Sequence, residues 1–262
     1  MIYSECCFNT NNKKKACLLL SSKCNLDCIY CFSKCSNCDS AFSIDNIDSL
    51  ILNLLESDIK YVVLSGGEPL LFNDIFIIIK ALHVKGFEIS MCTNATLATD
   101  IVCKKLIASG LKKVTISFDD IVKEKFDHIT RKKDSFEKVI QGINNFVNNS
   151  FDVTINVVIN DSNINRVFEI VNWAKKMGAK EICFTLPVCK SGNMFPLDEI
   201  SIKKLYSELK IISNNIDITI ELNNPKCHSD NCPSNNSIWG IDTNGNIGDC
   251  LVKSFLKEDS VI

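Results

Sequence analysis

The sequence of 262 residues lacks an excess of charge of either sign, since 29 Lys and Arg residues stand against 31 Asp and Glu residues. Nucleic-acid-binding surfaces are usually strongly basic, so we expect no nucleic-acid partner. No run approaches the ~20 apolar residues of a membrane span, and the first residues show no basic region followed by an apolar one. We therefore expect a cytoplasmic protein that has no membrane partner.

Cysteine, in contrast, is abundant, with 15 residues. In a reducing compartment clustered cysteines favour metal binding over disulfides. Isolated cysteines are typical of buried structural thiols; those are Cys17, Cys92, Cys103 and Cys183. No role is assigned to Cys6, Cys7 or Cys189.

Apolar, β-favouring runs alternate with stretches of helical periodicity along most of the chain. Strands are predicted over 16–21, 61–65, 87–93, 113–118, 152–159 and 181–186, with helices over 44–55, 75–83, 100–108, 135–148, 163–176 and 201–212. Such alternation indicates βαβ units and an α/β fold with a parallel sheet. After residue 214 the composition becomes polar, with short strands predicted over 216–222 and 237–242. We therefore predict one domain over 1–213 and a smaller region over 214–262.

The unusual residues follow the predicted strands, where the working side chains of such folds lie. A cysteine group follows the first strand and Gly66-Gly67-Glu68-Pro69 follows the second. Polar residues close the next three strands; they are Thr93, Asn94, Ser117, Asp119, Asn156 and Asn160.

The cysteine group has the spacing Cys24-x3-Cys28-x2-Cys31. Three thiolates can each hold one iron of a [4Fe–4S] cluster, which leaves the fourth iron open to another ligand. The alternative is a zinc site in which Cys35 and Cys38 join Cys28 and Cys31, although zinc ligands usually come in more widely separated pairs.

The triad, with Tyr30 before its last cysteine and Gly66-Gly67-Glu68-Pro69 after the next strand, resembles the signature of the radical AdoMet (radical SAM) superfamily. The resemblance implies a partial (β/α)6 barrel. It also implies a [4Fe–4S] cluster whose open iron binds S-adenosyl-L-methionine (AdoMet), and one-electron cleavage to a 5′-deoxyadenosyl radical that abstracts hydrogen from a substrate. A reductant such as flavodoxin or ferredoxin would supply the electron.

The resemblance further implies which residues contact the cofactors. Glu68 and the glycines would hold the AdoMet amino group, Ser117 and Asp119 its ribose and carboxylate region, and His128-x2-Arg131 resembles a further family element. The full set of expected AdoMet contacts is Tyr30, Gly66, Gly67, Glu68, Thr93, Asn94, Ser117, Asp119, Arg131 and Asn156. No substrate-directed catalytic residue is assigned.

A second cysteine group lies near the end of the sequence. Cys232, Gly245 and Cys250, with Cys227 upstream, resemble a shortened SPASM or twitch-type appendage. That resemblance implies an auxiliary [4Fe–4S] cluster on Cys227, Cys232 and Cys250, carried by a small β-hairpin at Asn244-Gly245. The alternative is a zinc-stapled or cluster-free hairpin, with His228 available as a zinc ligand.

The appendage favours a peptide or protein substrate, as in a maturation enzyme. The alternative within the superfamily is an enzyme of small-molecule or cofactor biosynthesis. Outside enzymes, the cysteines are compatible with a zinc-binding interaction module or an iron–sulfur electron carrier. The glycine motif and the six βα units argue against both, because neither needs a pocket of AdoMet size.

Overall fold

The computed structural model describes residues 2–4, 14–31, 41–187, 197–223, 238–241 and 245–248. It contains ten strands: β1 Ile2–Ser4, β2 Lys15–Leu19, β3 Tyr61–Ser65, β4 Glu88–Thr93, β5 Lys113–Ser117, β6 Asp152–Val158, β7 Glu181–Thr185, β8 Thr219–Asn223, β9 Ile238–Ile241 and β10 Ile247–Gly248.

Within these ranges, seven α-helices connect the strands: α1 Ile47–Glu56, α2 Ile75–Val84, α3 Asp100–Ser109, α4 Lys123–Thr130, α5 Ser135–Asn148, α6 Val167–Lys176 and α7 Glu199–Asn215. Short 3-10 turns precede α1 and α6. Across the described ranges, no helix has both the length and the apolar character needed to cross a bilayer.

The ten described strands belong to one sheet with the order β1-β8-β7-β6-β5-β4-β3-β2-β9-β10. From β2 to β8 each strand is parallel to the next, because a helix returns the chain to the same edge after every strand. The sheet is open, with β1 and β10 at its edges. The prediction of an α/β fold of partial-barrel type is confirmed.

Three described elements were not predicted. Helix α4 has mostly charged and polar residues, so its two buried apolar side chains, Phe126 and Ile129, do not produce a clear helical period. Strands β1 and β10 are three and two residues long, too short for a period of two to be visible.

The chain after residue 214 extends this sheet at both sides. β8 pairs with β7 in parallel, and β9 pairs in parallel with β2. β10 turns back antiparallel to β9, and Gly245 between them has the positive φ of +84° that a tight turn often requires. The separate region over 214–262 stays a prediction.

Alternate residues of each strand point to opposite faces of the sheet. One face packs on the helices and forms the apolar core, as Leu18, Leu64 and Met91 illustrate with no exposed surface. The opposite face, called the inner face below, carries thiols, hydroxyls, amides and charges at alternating positions, among them Cys17, Cys92 and Asn156. Any ligand at this face therefore meets polar groups.

A group of charged side chains lies at one end of the inner face. Glu181 accepts a hydrogen bond from Thr154 Oγ1 at 2.9 Å and interacts with Glu221 and Lys15. Burial and the neighbouring Glu221 carboxylate raise the pKa of Glu181 to about 7. The folded state therefore binds a proton more tightly than the unfolded state, and its stability falls as the pH rises between the two pKa values.

We expect Glu181→Gln to stabilise the protein at pH 8 relative to the wild type, and to do so much less at pH 5. The full pKa shift corresponds to about 3 kcal/mol, and partial solvent exposure and Lys15 reduce the expected gain to about 1–2 kcal/mol. Urea unfolding at both pH values measures the difference. Glu169→Gln, on the exposed surface of α6, is the control; an equal pH response of both variants contradicts the assignment.

Candidate cofactor site

The loop that follows β2 carries the three predicted cluster ligands. Cys24 is exposed, Cys28 and Cys31 are half-buried, and all three are free thiols. The Cys31 amide donates to the Cys28 carbonyl at 3.2 Å, which turns the loop between these two residues. A cavity of about 410 Å³ opens beside the loop, lined by Ser22, Cys24, Asn25, Leu26, Asp27, Cys31, Gly67, Arg131 and Lys132.

The cysteine loop is anchored to the end of α4. The amides of Asp27 and Ile29 donate to the carbonyls of Thr130 and Ile129, both at 3.0 Å. These carbonyls lie in the last turn of the helix, where no further helical amide is available to them. The loop amides therefore satisfy the hydrogen-bonding capacity of the carbonyls at the helix end. This contact places Arg131 at the cavity.

The glycine motif after β3 packs directly on the start of the cysteine loop. The Gly67 amide donates to the Ser21 carbonyl at 2.7 Å and the Glu68 amide to the Lys23 carbonyl at 2.8 Å. A Cβ atom at Gly66 would lie 2.4 Å from the Ser21 oxygen, and one at Gly67 would lie 2.1 Å from the Lys23 oxygen. These glycines thus allow the backbone of the cysteine loop to approach the glycine motif closely. Their contact with AdoMet stays a prediction.

Glu68 is buried, with 1% of its surface exposed, and its carboxylate joins β3 to β4. It accepts hydrogen bonds from Leu70 N at 3.0 Å, Thr93 Oγ1 at 2.7 Å and Asn94 N at 2.7 Å. Burial raises the pKa of Glu68, and these three donors act in the opposite direction. The side chain therefore positions Thr93 and Asn94; its predicted pairing with the AdoMet amino group stays a prediction.

Asn94 connects β4 to the cysteine loop. Its Nδ2 lies 3.7 Å from Cys24 Sγ and 2.9 Å from Asn25 Oδ1. Its Oδ1 accepts from the Thr96 amide at 3.0 Å and the Thr96 hydroxyl at 2.6 Å, and Asn25 Nδ2 donates to the same hydroxyl at 2.8 Å. Asn25 and Thr96 were not predicted as site residues, although the polar spacing Asn94-x-Thr96 at a strand end was a visible signal.

Tyr30 and Asp119 join the cysteine loop to β5 and β6. The Tyr30 hydroxyl donates to Asp119 Oδ2, and Asp119 Oδ1 accepts from Val158 N at 2.7 Å. Burial raises the pKa of Asp119 to about 6, while the Tyr30 hydrogen bond acts against this. Burial and the Asp119 charge raise the pKa of Tyr30. The structure thus brings these two predicted residues together, and their contacts with AdoMet stay predictions.

Ser117 and Asn156 are half-buried, lie opposite each other on β5 and β6, and point to the inner face. Asn156 Oδ1 accepts from Thr185 Oγ1 at 2.8 Å, a contact to β7 rather than to the cysteine loop. Among the described residues, neither of the two forms a hydrogen bond with the cysteine loop. Their assignment to AdoMet stays a prediction.

In the segment around His128, Asp127 caps a helix and Arg131 lines the cavity. Arg131 ends α4 with a φ of +51°, and its Nη1 lies 3.7 Å from Asp27 Oδ2. Asp127, in contrast, accepts from Asp134 N, Ser135 Oγ and Phe136 N at 2.9–3.0 Å, so its carboxylate caps the start of α5. His128 is exposed on α4.

The three thiols of the loop are a donor set that fits a cubane cluster. Partial desolvation raises the pKa of the Cys24 thiol and burial raises the pKa of the Cys28 thiol, so a bound metal would have to displace their protons. In a cubane each cysteine binds a different iron, so three separated thiolates on one loop suit it.

Several predicted ligands fall outside the described residues. They are Cys227, Cys232 and Cys250 of the auxiliary site, and Cys35 and Cys38 of the zinc alternative. The auxiliary cluster and the zinc alternative on these residues stay predictions.

Comparison with known sequences finds one matching family and several similar proteins. A family model, the Radical SAM superfamily, matches residues 18–174. A GTP 3′,8-cyclase from Clostridium perfringens (strain SM101 / Type A) is 35% identical over 164 residues, which are 60% of this chain and 50% of that protein. A probable GTP 3′,8-cyclase from Methanothermobacter marburgensis is 34% identical over 164 residues, 61% of this chain and 53% of that protein. The chain spans about half the length of these curated relatives.

Solved structures share the fold at low sequence identity. SuiB of Streptococcus suis, bound to the precursor peptide SuiA, superposes with a TM-score of 0.79 at 15% identity, over 93% of this chain and 61% of that one. The protein anSMEcpe with bound AdoMet superposes with a TM-score of 0.70 at 19% identity, over 90% of this chain and 74% of that one. At these identities the likeness concerns the fold alone.

Proposed function

The chain belongs to the radical SAM superfamily, and we propose that it cleaves AdoMet reductively at a [4Fe–4S] cluster held by Cys24, Cys28 and Cys31. Membership confirms the predictions of an enzyme, of an iron–sulfur cluster and of AdoMet. The observation that carries the site assignment is the mutual anchoring of the cysteine loop, the glycine motif and Asn94 at one edge of the sheet.

When bound, the cluster and AdoMet supply one-electron cleavage of the sulfonium C–S bond and a 5′-deoxyadenosyl radical that abstracts hydrogen. The chain's own residues hold the geometry. Glu68 fixes the end of β4, and Asp119 together with Tyr30 fixes the far side of the loop. Arg131 supplies positive charge at the cavity beside the cysteines.

For the substrate we propose a small polar molecule, with a nucleoside or nucleotide as the first class to test. The relatives named GTP 3′,8-cyclase favour this over the peptide substrate that the C-terminal cysteines suggested. The hydroxyl and amide groups of Thr115, Ser117, Asn156 and Thr185 on the inner face offer hydrogen bonds to such a molecule.

The charge of the inner face bears on the form of that substrate. In the described strands its cations are Lys15 and Lys113, and both have carboxylate neighbours: Glu221 and Glu181 near Lys15, and Glu88 at 3.8 Å from Lys113. These carboxylates offset the positive charge at this end of the inner face. At the cavity beside the cysteines, in contrast, Arg131 and Lys132 are available to an anionic group.

The peptide-maturation reading stays a competing proposal, because its argument depends on the auxiliary cluster of Cys227, Cys232 and Cys250. The electron donor and the location also belong to the proposal. We propose a flavodoxin- or ferredoxin-type reductant and a cytoplasmic protein.

Anaerobic assay of the reconstituted protein with AdoMet and dithionite tests the function. We expect 5′-deoxyadenosine to form, faster when guanosine, a guanosine monophosphate or GTP is present, and no faster with a mixture of short synthetic peptides. Transfer of deuterium from a labelled nucleoside into 5′-deoxyadenosine identifies the hydrogen donor. Stimulation by peptides alone would overturn the small-molecule proposal, and cluster-loaded protein that forms no 5′-deoxyadenosine would overturn the function itself.

A further inference from the structure

Asn94 makes the one side-chain hydrogen bond to a cysteine of the triad within the described part of the chain. Its Nδ2 lies 3.7 Å from Cys24 Sγ, which is within hydrogen-bond range for a sulfur acceptor. Residues 94 and 24 are 70 positions apart in sequence, so the contact exists only because the ends of β2 and β4 meet at one edge of the sheet.

The orientation of the Asn94 side-chain amide is determined by the hydrogen bonds that its oxygen accepts. Thr96 gives two donors, its amide and its hydroxyl, to Asn94 Oδ1. Because both donate, the atom they face must be the carbonyl oxygen, and the NH₂ group must point to Cys24 and to Asn25 Oδ1. A flipped amide would set donor against donor at Thr96.

The backbone of Asn94 is held as firmly as its side chain. Its amide donates to Glu68 Oε2 at 2.7 Å, and the residue is 9% exposed. Thr93, the preceding residue, donates to the other oxygen of the same carboxylate. The donor is therefore presented to Cys24 by three elements: the glycine motif, the end of β4 and the turn to Thr96.

From this geometry we infer that Asn94 is a positioning residue for the iron–sulfur cluster, which stabilises the Cys24 thiolate and raises the reduction potential of the cluster. The inference rests on the proposed cluster ligation. Adding an electron increases the negative charge on the thiolate ligands, so a hydrogen bond to one of them favours the reduced state. This differs from the predicted role of Asn94 as an AdoMet contact.

Redox titration of the reconstituted protein without AdoMet, followed by EPR, tests this directly. Asn94→Ala removes the donor, and we expect its midpoint potential to shift to a more negative value. Asn94→Asp keeps the acceptor for Thr96 but places a carboxylate oxygen at Cys24, so the shift should be larger in the same direction. The Asn94→Ala variant decides the question if Asn94→Asp assembles no cluster.

Asn145→Asp is the matched control. Asn145 also donates a side-chain hydrogen bond from a half-buried position, to the Ala98 carbonyl at 2.8 Å, but it lies on α5. Its midpoint potential should equal that of the wild type. Asn94 variants with full iron content and an unshifted potential would overturn this inference alone. A wild type that assembles no EPR-active cluster would overturn the proposed function, and this inference with it.

Discussion

Cys28→Ala should abolish both cluster binding and the formation of 5′-deoxyadenosine. Three cysteines are the fewest that hold a cubane and leave one iron open, so loss of one leaves two irons without protein ligands. Changes outside the ligands themselves already cost about 10–100-fold in metal affinity or activity, so we expect a loss of at least ~100-fold here. Iron and sulfide analysis after reconstitution measures the first effect, and chromatography of 5′-deoxyadenosine measures the second.

Cys103→Ala is the control for loss of a thiol as such. Cys103 is fully buried in α3, within the apolar core. Removing its sulfur should lower the free energy of unfolding by about 1–2 kcal/mol and leave iron content and product formation unchanged. Equal iron loss in both variants would mean that Cys28 is not a specific ligand.

Gly67→Ala should disrupt the site although it changes none of the three proposed cluster ligands. The added Cβ would lie 2.1 Å from the Lys23 oxygen and 2.5 Å from the Lys23 carbonyl carbon, and backbone atoms cannot move aside as a flexible side chain can. The loop that begins at Cys24 must shift away from the glycine motif. We expect a fall of about 2–3 kcal/mol in the free energy of unfolding, together with cluster content well below that of the wild type.

Gly248→Ala provides the matched substitution. No atom lies within 4 Å of a Cβ added at Gly248. Urea unfolding and iron analysis of both variants separate steric conflict at the loop from a general effect of replacing glycine. Wild-type cluster content in Gly67→Ala would show that the loop tolerates displacement, and the proposed anchoring would then be wrong.

Much of the fold was predictable because its signals are local. The strands at 61–65 and the helix at 135–148 were predicted with the bounds that the structure shows, since a buried parallel strand is continuously apolar and a surface helix repeats every 3.6 residues. Helix α4 was missed because its composition is polar. It nevertheless supplies the carbonyls that hold the cysteine loop.

The site residues likewise divide into those with a local sequence signal and those without one. Cys24, Cys28, Cys31 and the glycine motif were found from spacing within short segments. Asn25 and Thr96 were missed, and the partners of Glu68 and Asp119 could not be assigned. These contacts join residues 25–89 positions apart, and they depend on the register of neighbouring strands, which no short segment specifies.

The sequence by itself determined the chemistry that this protein can host. Ligand count, ligand spacing and strand–helix alternation are properties of short segments, and they were sufficient to indicate the superfamily. Only the tertiary structure decided how the pieces hold each other. In the folded protein the Asn94 amide donates a hydrogen bond to Glu68, the Asn94 side chain donates one to Cys24, and the Tyr30 hydroxyl donates one to Asp119. The physical reason is that a buried polar group must find a partner, and which partner is within reach depends on the packing of the whole sheet.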